Sequence, residues 1–246
     1  MDGNVFSKVK ILFWFVPLGQ NEFHMNNTDF STETRDIKDV KRVLIKDYGH
    51  LFISQGDEES LRIEGDRDVI ATVKTYVREG ELVLDIDASW FDKTWSAVTS
   101  AVEGRVLKYH LMVKSLDGIF VQGAADVKMQ ALKTESIYVT LKGAGEIVIN
   151  QIESGLVDVD LPGAGRISLS GKTDRLHVSM KGAGSFDAPQ LESREARVVL
   201  RGVGKATVWT TAQLDATVEG IGAIDYYGNP TVRQNVSGLG KVNARR

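Results

Sequence analysis

The stretch IYVTLKGAGEIVI, residues 137–149, decides the fold. Ile137, Val139 and Leu141 alternate with polar residues, Lys142-Gly143-Ala144-Gly145 interrupts, and Ile147 and Ile149 resume the alternation. An apolar residue at every second position on both sides of a glycine pair reads as strand, turn, strand. The same phrase returns along the chain. Its first glycines are Gly123, Gly143, Gly163, Gly182, Gly202, Gly220 and Gly238, spaced by 20, 20, 19, 20, 18 and 18 residues. Its second glycines are Gly145, Gly165, Gly184, Gly204, Gly222 and Gly240, with Ala125 in that place in the first copy. A period this regular marks a repeat architecture.

The apolar rows keep their register from copy to copy. Val157, Val159 and Leu161 precede Gly163, and Ile167 and Leu169 follow Gly165; Leu176, Val178 and Met180 precede Gly182, and Phe186 and Ala188 follow Gly184. Only Gln234 breaks the inward row of the last copy. A further apolar residue after the second strand, at Leu132, Ile152 and Leu191, suggests a third short side. Three sides and 18–20 residues describe one coil of a parallel β-helix, an all-β solenoid. A lone coil could not bury its apolar row, whereas coils stacked about 4.8 Å apart pair strand to strand around a continuous core. The glycines at each corner would permit a positive-φ bend and let successive backbones stack without a Cβ clash. A β-sandwich also suits short strands with frequent turns, but it does not require every strand to carry the same turn phrase in the same register.

Upstream the pattern weakens. Val43, Ile45, Leu51 and Ile53 flank Asp47-Tyr48-Gly49 as in a decayed first coil, and strand-like runs follow through Leu61, Ile63, Val73, Leu82, Leu84 and Ile86. Residues 88–104 interrupt the repeat; Trp95, Val98 and Val102 fall at helical spacing, which predicts a short amphipathic helix in an insertion. Residues 1–30 form a separate segment before a repeat domain spanning 31–246. Lys8 and Lys10 precede the apolar run Ile11 to Leu18, too short to span a bilayer. It reads as a degenerate export signal without a small-x-small cleavage site, as a buried extra strand, or as an interfacial anchor.

The 246 residues are 42% hydrophobic and 26% charged with a net charge of −3, so bulk electrostatics give no pull toward nucleic acid or a membrane. The absence of cysteine excludes disulfides, thiolate metal sites and cysteine nucleophiles.

Several phrases resemble one known family. They are Thr34-Arg35-Asp36, the run from Ile53 through Gln55-Gly56-Asp57-Glu58-Glu59-Ser60 to Leu61, Ile63-Glu64-Gly65, the Gly-x-Gly coils, and Tyr226-Tyr227-Gly228-Asn229-Pro230. Over roughly residues 30–246 the chain is similar to the head GIN domain family, named for autotransporter adhesins. The resemblance implies a single-stranded, right-handed β-helix, exported or lipid-anchored in bacteria and some archaea, with no established biochemical role. The chain departs from the family's usual Ser-Gly-Ser-Gly wording with Lys-Gly-Ala-Gly, Pro-Gly-Ala-Gly and Arg-Gly-Val-Gly. Its localisation is accordingly expected to be extracellular or at the cell envelope.

In a solenoid, outward residues one repeat apart become neighbours. Tyr138, Asp158, His177, Arg197, Asp215 and Arg233 should form one ladder, with Thr140, Asp160, Ser179, Val199, Thr217 and Asn235 beside it. Asp158 and Asp160 would then lie about 7 Å apart on one face. With His177 they could serve a glycan-active enzyme as acid and base, or hold a cation; cross-strand charge pairing explains the same alternation without chemistry. A second candidate is a basic corner, with Lys142, Lys181 and Arg201 before the glycines and Arg166, Lys205 and Lys241 after them, interrupted by Glu146 and Glu219. Stacked, these could track an anionic envelope polymer. The aromatics Trp90, Phe91, Trp95, Trp209 and Tyr227 could stack on sugars or anchor their segments to the core. No glycine pair has the spacing of a nucleotide-binding loop, no Ca²⁺-binding nonapeptide appears, and no metal or cofactor is implied. The sequence therefore points to a non-enzymatic, surface-presented β-helix that binds a glycan, an anionic polymer or a protein, with an Asp/Asp/His enzyme and a self-assembling structural solenoid as alternatives.

Overall fold

The computed structural model describes residues 30–87 and 107–245. The N-terminal segment and the 88–104 insertion, with Trp90, Phe91 and Trp95, fall essentially outside them. The strands in chain order are β1 (Phe30–Arg35), β2 (Arg42–Ile45), β3 (Tyr48–Gln55), β4 (Ser60–Asp66), β5 (Val73–Arg78), β6 (Glu81–Ile86), β7 (Lys108–Val113), β8 (Gly118–Val121) and β9 (Ala124–Met129). There follow β10 (Leu132–Leu141), β11 (Ala144–Leu161), β12 (Ala164–Met180), β13 (Ala183–Leu200), β14 (Val203–Val218), β15 (Ile221–Tyr227), β16 (Thr231–Val236) and β17 (Leu239–Ala244). One short helix, α1 (Arg67–Ile70), lies between β4 and β5.

From β8 onward the chain is a β-solenoid. The long strands β11, β12 and β13 each wrap around a coil and pair in parallel with the next, residue for residue with local shifts at the bends. On the first face, after the glycine corner, Ala144, Ala164, Ala183, Val203, Ile221 and Leu239 share one column. On the second face, before the corner, Ile137, Val157, Leu176, Ala196, Leu214 and Val232 share another. The short third side aligns Leu132, Ile152, Gly171 and Leu191. The inward rows are sealed: Ile147, Ile167, Phe186, Ala206 and Ile224 are each 0% exposed. Burying such a side chain contributes about 1.5–3 kcal/mol, which is why the alternation is so strictly kept.

Stacking, rather than dihedral freedom, fixes the first glycine of each corner. A Cβ on Gly143 would fall on the carbonyl oxygen of Gly123, and one on Gly182 on that of Gly163. That same oxygen accepts the amide of Ala144 at 2.9 Å in the first case and of Ala183 at 3.1 Å in the second, so the clash and the rung are one contact. A positive φ belongs to second glycines such as Gly145, at 125°.

The opposite bend of each coil uses a hydroxyl column. Thr134, Ser154, Thr173, Ser193 and Thr210 align from rung to rung. Ser154 Oγ donates to the Leu156 carbonyl at 2.9 Å and Thr173 Oγ1 to that of Arg175 at 3.1 Å, supplying partners where the backbone turns away from its neighbours.

The amino-terminal end departs from the sequence expectation. The coil made by β2 and β3 is not the outermost layer. β6 pairs in parallel with β2 on its far side and β7 with β3, so these two strands cover the coil that precedes them. Beyond these lie antiparallel β5 on β6, β4 on β7 and β1 on β4, with α1 placing Ile70 at 2% exposure over the core. Glu33 and Arg35 sit on β1 opposite the inward residues Ile63 and Leu61 and pair with each other at 2.7 Å, a charged cap for an edge strand. On the short side, the Gln55 amide stands in for a missing strand by accepting from Lys133 N at 2.9 Å and donating to its carbonyl at 3.0 Å.

Substituting Gly182 by Ala should cost about 3 kcal/mol, because the obstacle is backbone with no rotamer to yield. Gly155→Ala, whose Cβ would meet only the Glu135 carbonyl at 3.1 Å, should cost less than about 1 kcal/mol. Denaturant midpoints of the two variants against the parent measure the difference.

Candidate functional site

The outward ladders stand in the expected register. Gly118, Tyr138, Asp158, His177, Arg197, Asp215 and Arg233 occupy one column of the second face, and Phe120, Thr140, Asp160, Ser179, Val199, Thr217 and Asn235 the next. The first column extends to Arg42, which pairs with Gly118 from the other side. Gly118 is therefore a missing rung between two long side chains, Arg42 and Tyr138.

The gap produces a hollow of about 450 Å³ on the second face. Its walls are Phe120 and the half-exposed Tyr138, the hydroxyls of Ser136 and Thr140, and the carboxylates of Asp117, Asp158 and Asp160, with Arg42 at one side. A Cβ on Gly118 would lie 2.6 Å from the Phe120 ring and 2.9 Å from Arg42 Cγ, so an alanine there would push both into the hollow. Arg42 is steadied by donating through Nη2 to the Glu79 carbonyl at 2.9 Å. Asp117 Oδ1 is shielded from solvent without a hydrogen-bond partner among the described residues. The hollow thus offers two aromatic surfaces, a preponderance of acceptors and one guanidinium.

Asp158, Asp160 and His177 are brought together as neighbours. His177 Nδ1 is 3.7 Å from Asp158 Oδ2, and Lys181 Nζ is 3.2 Å from Asp160 Oδ1. Their side chains are 40%, 36% and 46% exposed in the order Asp158, Asp160, His177, so water has free access to all three. Among the described residues no cluster of three or more His, Asp or Glu is placed to hold a metal ion.

The six basic candidates do not form one stripe. In the column before the glycines Pro162 separates Lys142 from Lys181, and Glu219 follows Arg201. After the glycines, Arg166, Lys205 and Lys241 alternate with Ser185 and Ala223. Four of the six also face carboxylates: Arg166 with Asp187 at 3.0 Å, Lys181 with Asp160, Arg201 with Glu219 at 2.7 Å, and Lys205 with Asp225 at 2.8 Å. Trp209 and Tyr227 pair across β14 and β15 and are both half-buried.

Asp225 is the strongest electrostatic feature, with a side chain only 1% exposed. Burial alone pushes its carboxyl up, but hydrogen bonds from Arg245, Lys205 and Asn243, each 2.8 Å long, outweigh burial and bring it down to about 2. Residues from β14, β17 and the segment after it thus converge on one carboxylate of β15.

A rigid solenoid with a ligand-sized hollow on an open face belongs to the class of repeat scaffolds that present a surface. Residues 41–230 match the family described as "Putative auto-transporter adhesin, head GIN domain", and the chain belongs to that family. Among solved structures it is similar to a "putative adhesin" from Bacteroides fragilis NCTC 9343 at 24% identity and TM-score 0.79, over 88% of this chain and 97% of that one. It is also similar to a "putative lipid binding protein" from Parabacteroides distasonis ATCC 8503 (20%, TM-score 0.69, 89% and 98% covered) and a "putative adhesin" from Parabacteroides merdae ATCC 43184 (19%, 0.65, 89% and 98%). At these identities the likeness is one of fold. No curated protein matches significantly. No helix among the described residues is long and apolar enough to cross a membrane.

Sequence reasoning missed Gly118, Arg42, Phe120 and Asp117, because Gly118 lies outside the Gly-x-Gly phrase. The available signal was its place 20 residues before Tyr138 in the outward column.

The Asp225 carboxyl, held below its usual value of 3.8, stabilises the fold above about pH 4 and loses that contribution as pH falls through about 2. Asp225→Asn should therefore lower stability at pH 7 by roughly 2 kcal/mol, and the gap to the parent should close by about pH 2. Urea unfolding across that pH range reads both quantities.

Proposed function

We propose that this chain is a non-enzymatic β-solenoid of the extracellular space or cell envelope whose second face binds a hydroxyl-rich glycan at the Gly118 hollow. The observation that carries this reading is the missing rung itself, a recess between Arg42 and Tyr138 lined by two aromatic rings and three carboxylates. A sugar ring presents an apolar C–H face that packs on Phe120 or Tyr138 and hydroxyls that donate to Asp117, Asp158 and Asp160. The adhesin description of the family agrees with a binding role at a surface.

Two alternatives are weaker on specific grounds. An anionic polymer along the basic corner would meet Arg166, Lys181, Arg201 and Lys205 already engaged with carboxylates. An enzyme using Asp158, Asp160 and His177 would work in open water, without the water-excluding enclosure that strengthens charge stabilisation.

A glycan array with the purified chain tests the proposal. Binding to neutral glycans should be nearly independent of salt and fall about tenfold or more in Tyr138→Ala and in Gly118→Ala. Binding restricted to anionic polymers and abolished by neutralising Lys142, Lys181 and Arg201 would sink this reading in favour of the corner. Release of a shortened glycan that stops in the Asp158→Asn, Asp160→Asn double variant would instead establish an enzyme.

A further inference from the structure

One outward column changes character along the solenoid. The residue between the paired small residues of the corner is Ala124, Ala144, Ala164 and Ala183 in four consecutive coils, then Val203, Ile221 and Leu239 in the next three, all in one register line. The three large side chains are open: Val203 is 55%, Ile221 53% and Leu239 78% exposed. With rungs about 4.8 Å apart they make an unbroken aliphatic ridge roughly 10 Å long. Internal packing does not call for it, since alanine suffices at the same place in four coils. Single exposed aliphatics are ordinary, but three stacked on consecutive rungs mark an interaction surface.

The ridge runs along the outer corner where the two faces meet, so it is convex. Its surroundings hold two ion-paired cations and one cation left over. Lys205, Ala223 and Lys241 follow it on the first face, and Arg201, Glu219 and Ser237 precede it on the second. Arg201 and Lys205 hold carboxylates but keep side chains 54% and 55% exposed, whereas Lys241 faces no carboxylate among the described residues. From residue 226 to residue 245 there is no Asp or Glu, against Arg233, Lys241 and Arg245.

We propose that this carboxy-terminal corner docks on an anionic lipid surface. Val203, Ile221 and Leu239 enter the boundary between headgroups and acyl chains, and Lys241 lies among the phosphates with its stem along the apolar edge. A protruding apolar edge with cations beside it fits a deformable bilayer interface; a protein partner would have to supply a matching groove. The Gly118 hollow lies six rungs from the last coil, about 29 Å along the axis, so the ridge and the hollow are separate surfaces.

The test is flotation of the full chain with vesicles of phosphatidylcholine alone and with about a third phosphatidylglycerol. The parent should float with the anionic vesicles and much less with the neutral ones. Replacing Val203, Ile221 and Leu239 together by Ala should reduce binding about tenfold or more, and Lys241→Gln about fivefold. The triple variant should keep the parent's melting temperature, because alanine is the residue of the earlier coils, and should keep any glycan binding at Gly118. The proposal is overturned if the parent ignores anionic vesicles. It is equally overturned if binding survives the triple substitution, since the apolar run from Ile11 to Leu18 is common to both chains. A lipid-free, concentration-dependent dimer that sedimentation finds in the parent and not in the triple variant, without vesicle binding, would assign the ridge to a second copy.

Discussion

Every feature of this molecule depends on one close approach, the amide of one corner seated on the carbonyl of the glycine beneath it. Between Ala144 N and Gly123 O the distance is 2.9 Å, and the contact recurs at 2.9 Å for Ala164 and 3.0 Å for Val203 and Ile221. A side chain at the first glycine would occupy that oxygen's place. Because the corner cannot shift, the register on both faces is fixed, and with it which residues point inward. The apolar core is thus held in line by a backbone constraint as much as by its own burial.

A fixed register turns sequence period into surface chemistry. Residues one repeat apart become lateral neighbours, so a column can be a charge ladder, a hydroxyl hinge, a gap or a ridge, depending only on what each repeat carries. Charge alternation supplies the ladder: Arg166 with Asp187, Lys181 with Asp160 and Arg201 with Glu219 each bridge adjacent coils. These exposed, solvent-screened pairs each contribute little to stability. Their larger effect is to neutralise a corner that looks strongly basic when its lysines and arginines are counted alone. Absence of a side chain has the opposite effect, since Gly118 opens a recess in an otherwise filled column.

The coils from Gly123 to Gly238 were legible in the sequence because a strict period two between repeated glycines admits few arrangements, and the Tyr138 to Arg233 column followed by counting. Residues 30–87 and 107–113 were not legible in this way. Their strands obey the same alternation, but β4 and β5 run antiparallel to their neighbours and β6 and β7 turn back over β2 and β3, choices that no period encodes. The hydroxyl column Thr134, Ser154, Thr173, Ser193 was present at nearly the same period as the glycines, yet Ser and Thr are common enough that the recurrence carries little weight alone. The hollow was hidden for a different reason: it is made by a residue that lacks a side chain, in a column otherwise noticed for its charges.

The two ends of the solenoid are built on different physical terms. At the amino-terminal end, α1, the antiparallel strands and the Glu33–Arg35 pair close the core against water and blunt the edge against strand addition. At the carboxy-terminal end the inward row runs out into Gln234 and a Val236 that is 41% exposed. The last strand there, paired in parallel with β15, is further held by the buried carboxylate of Asp225, gripped by Lys205, Asn243 and Arg245. A polar clamp of this kind is directional and tolerates water at its edge, so it can secure a coil whose outer surface remains uncovered. Among the described residues nothing covers the apolar side chains of the corner, and Leu239 above all stays available for contact.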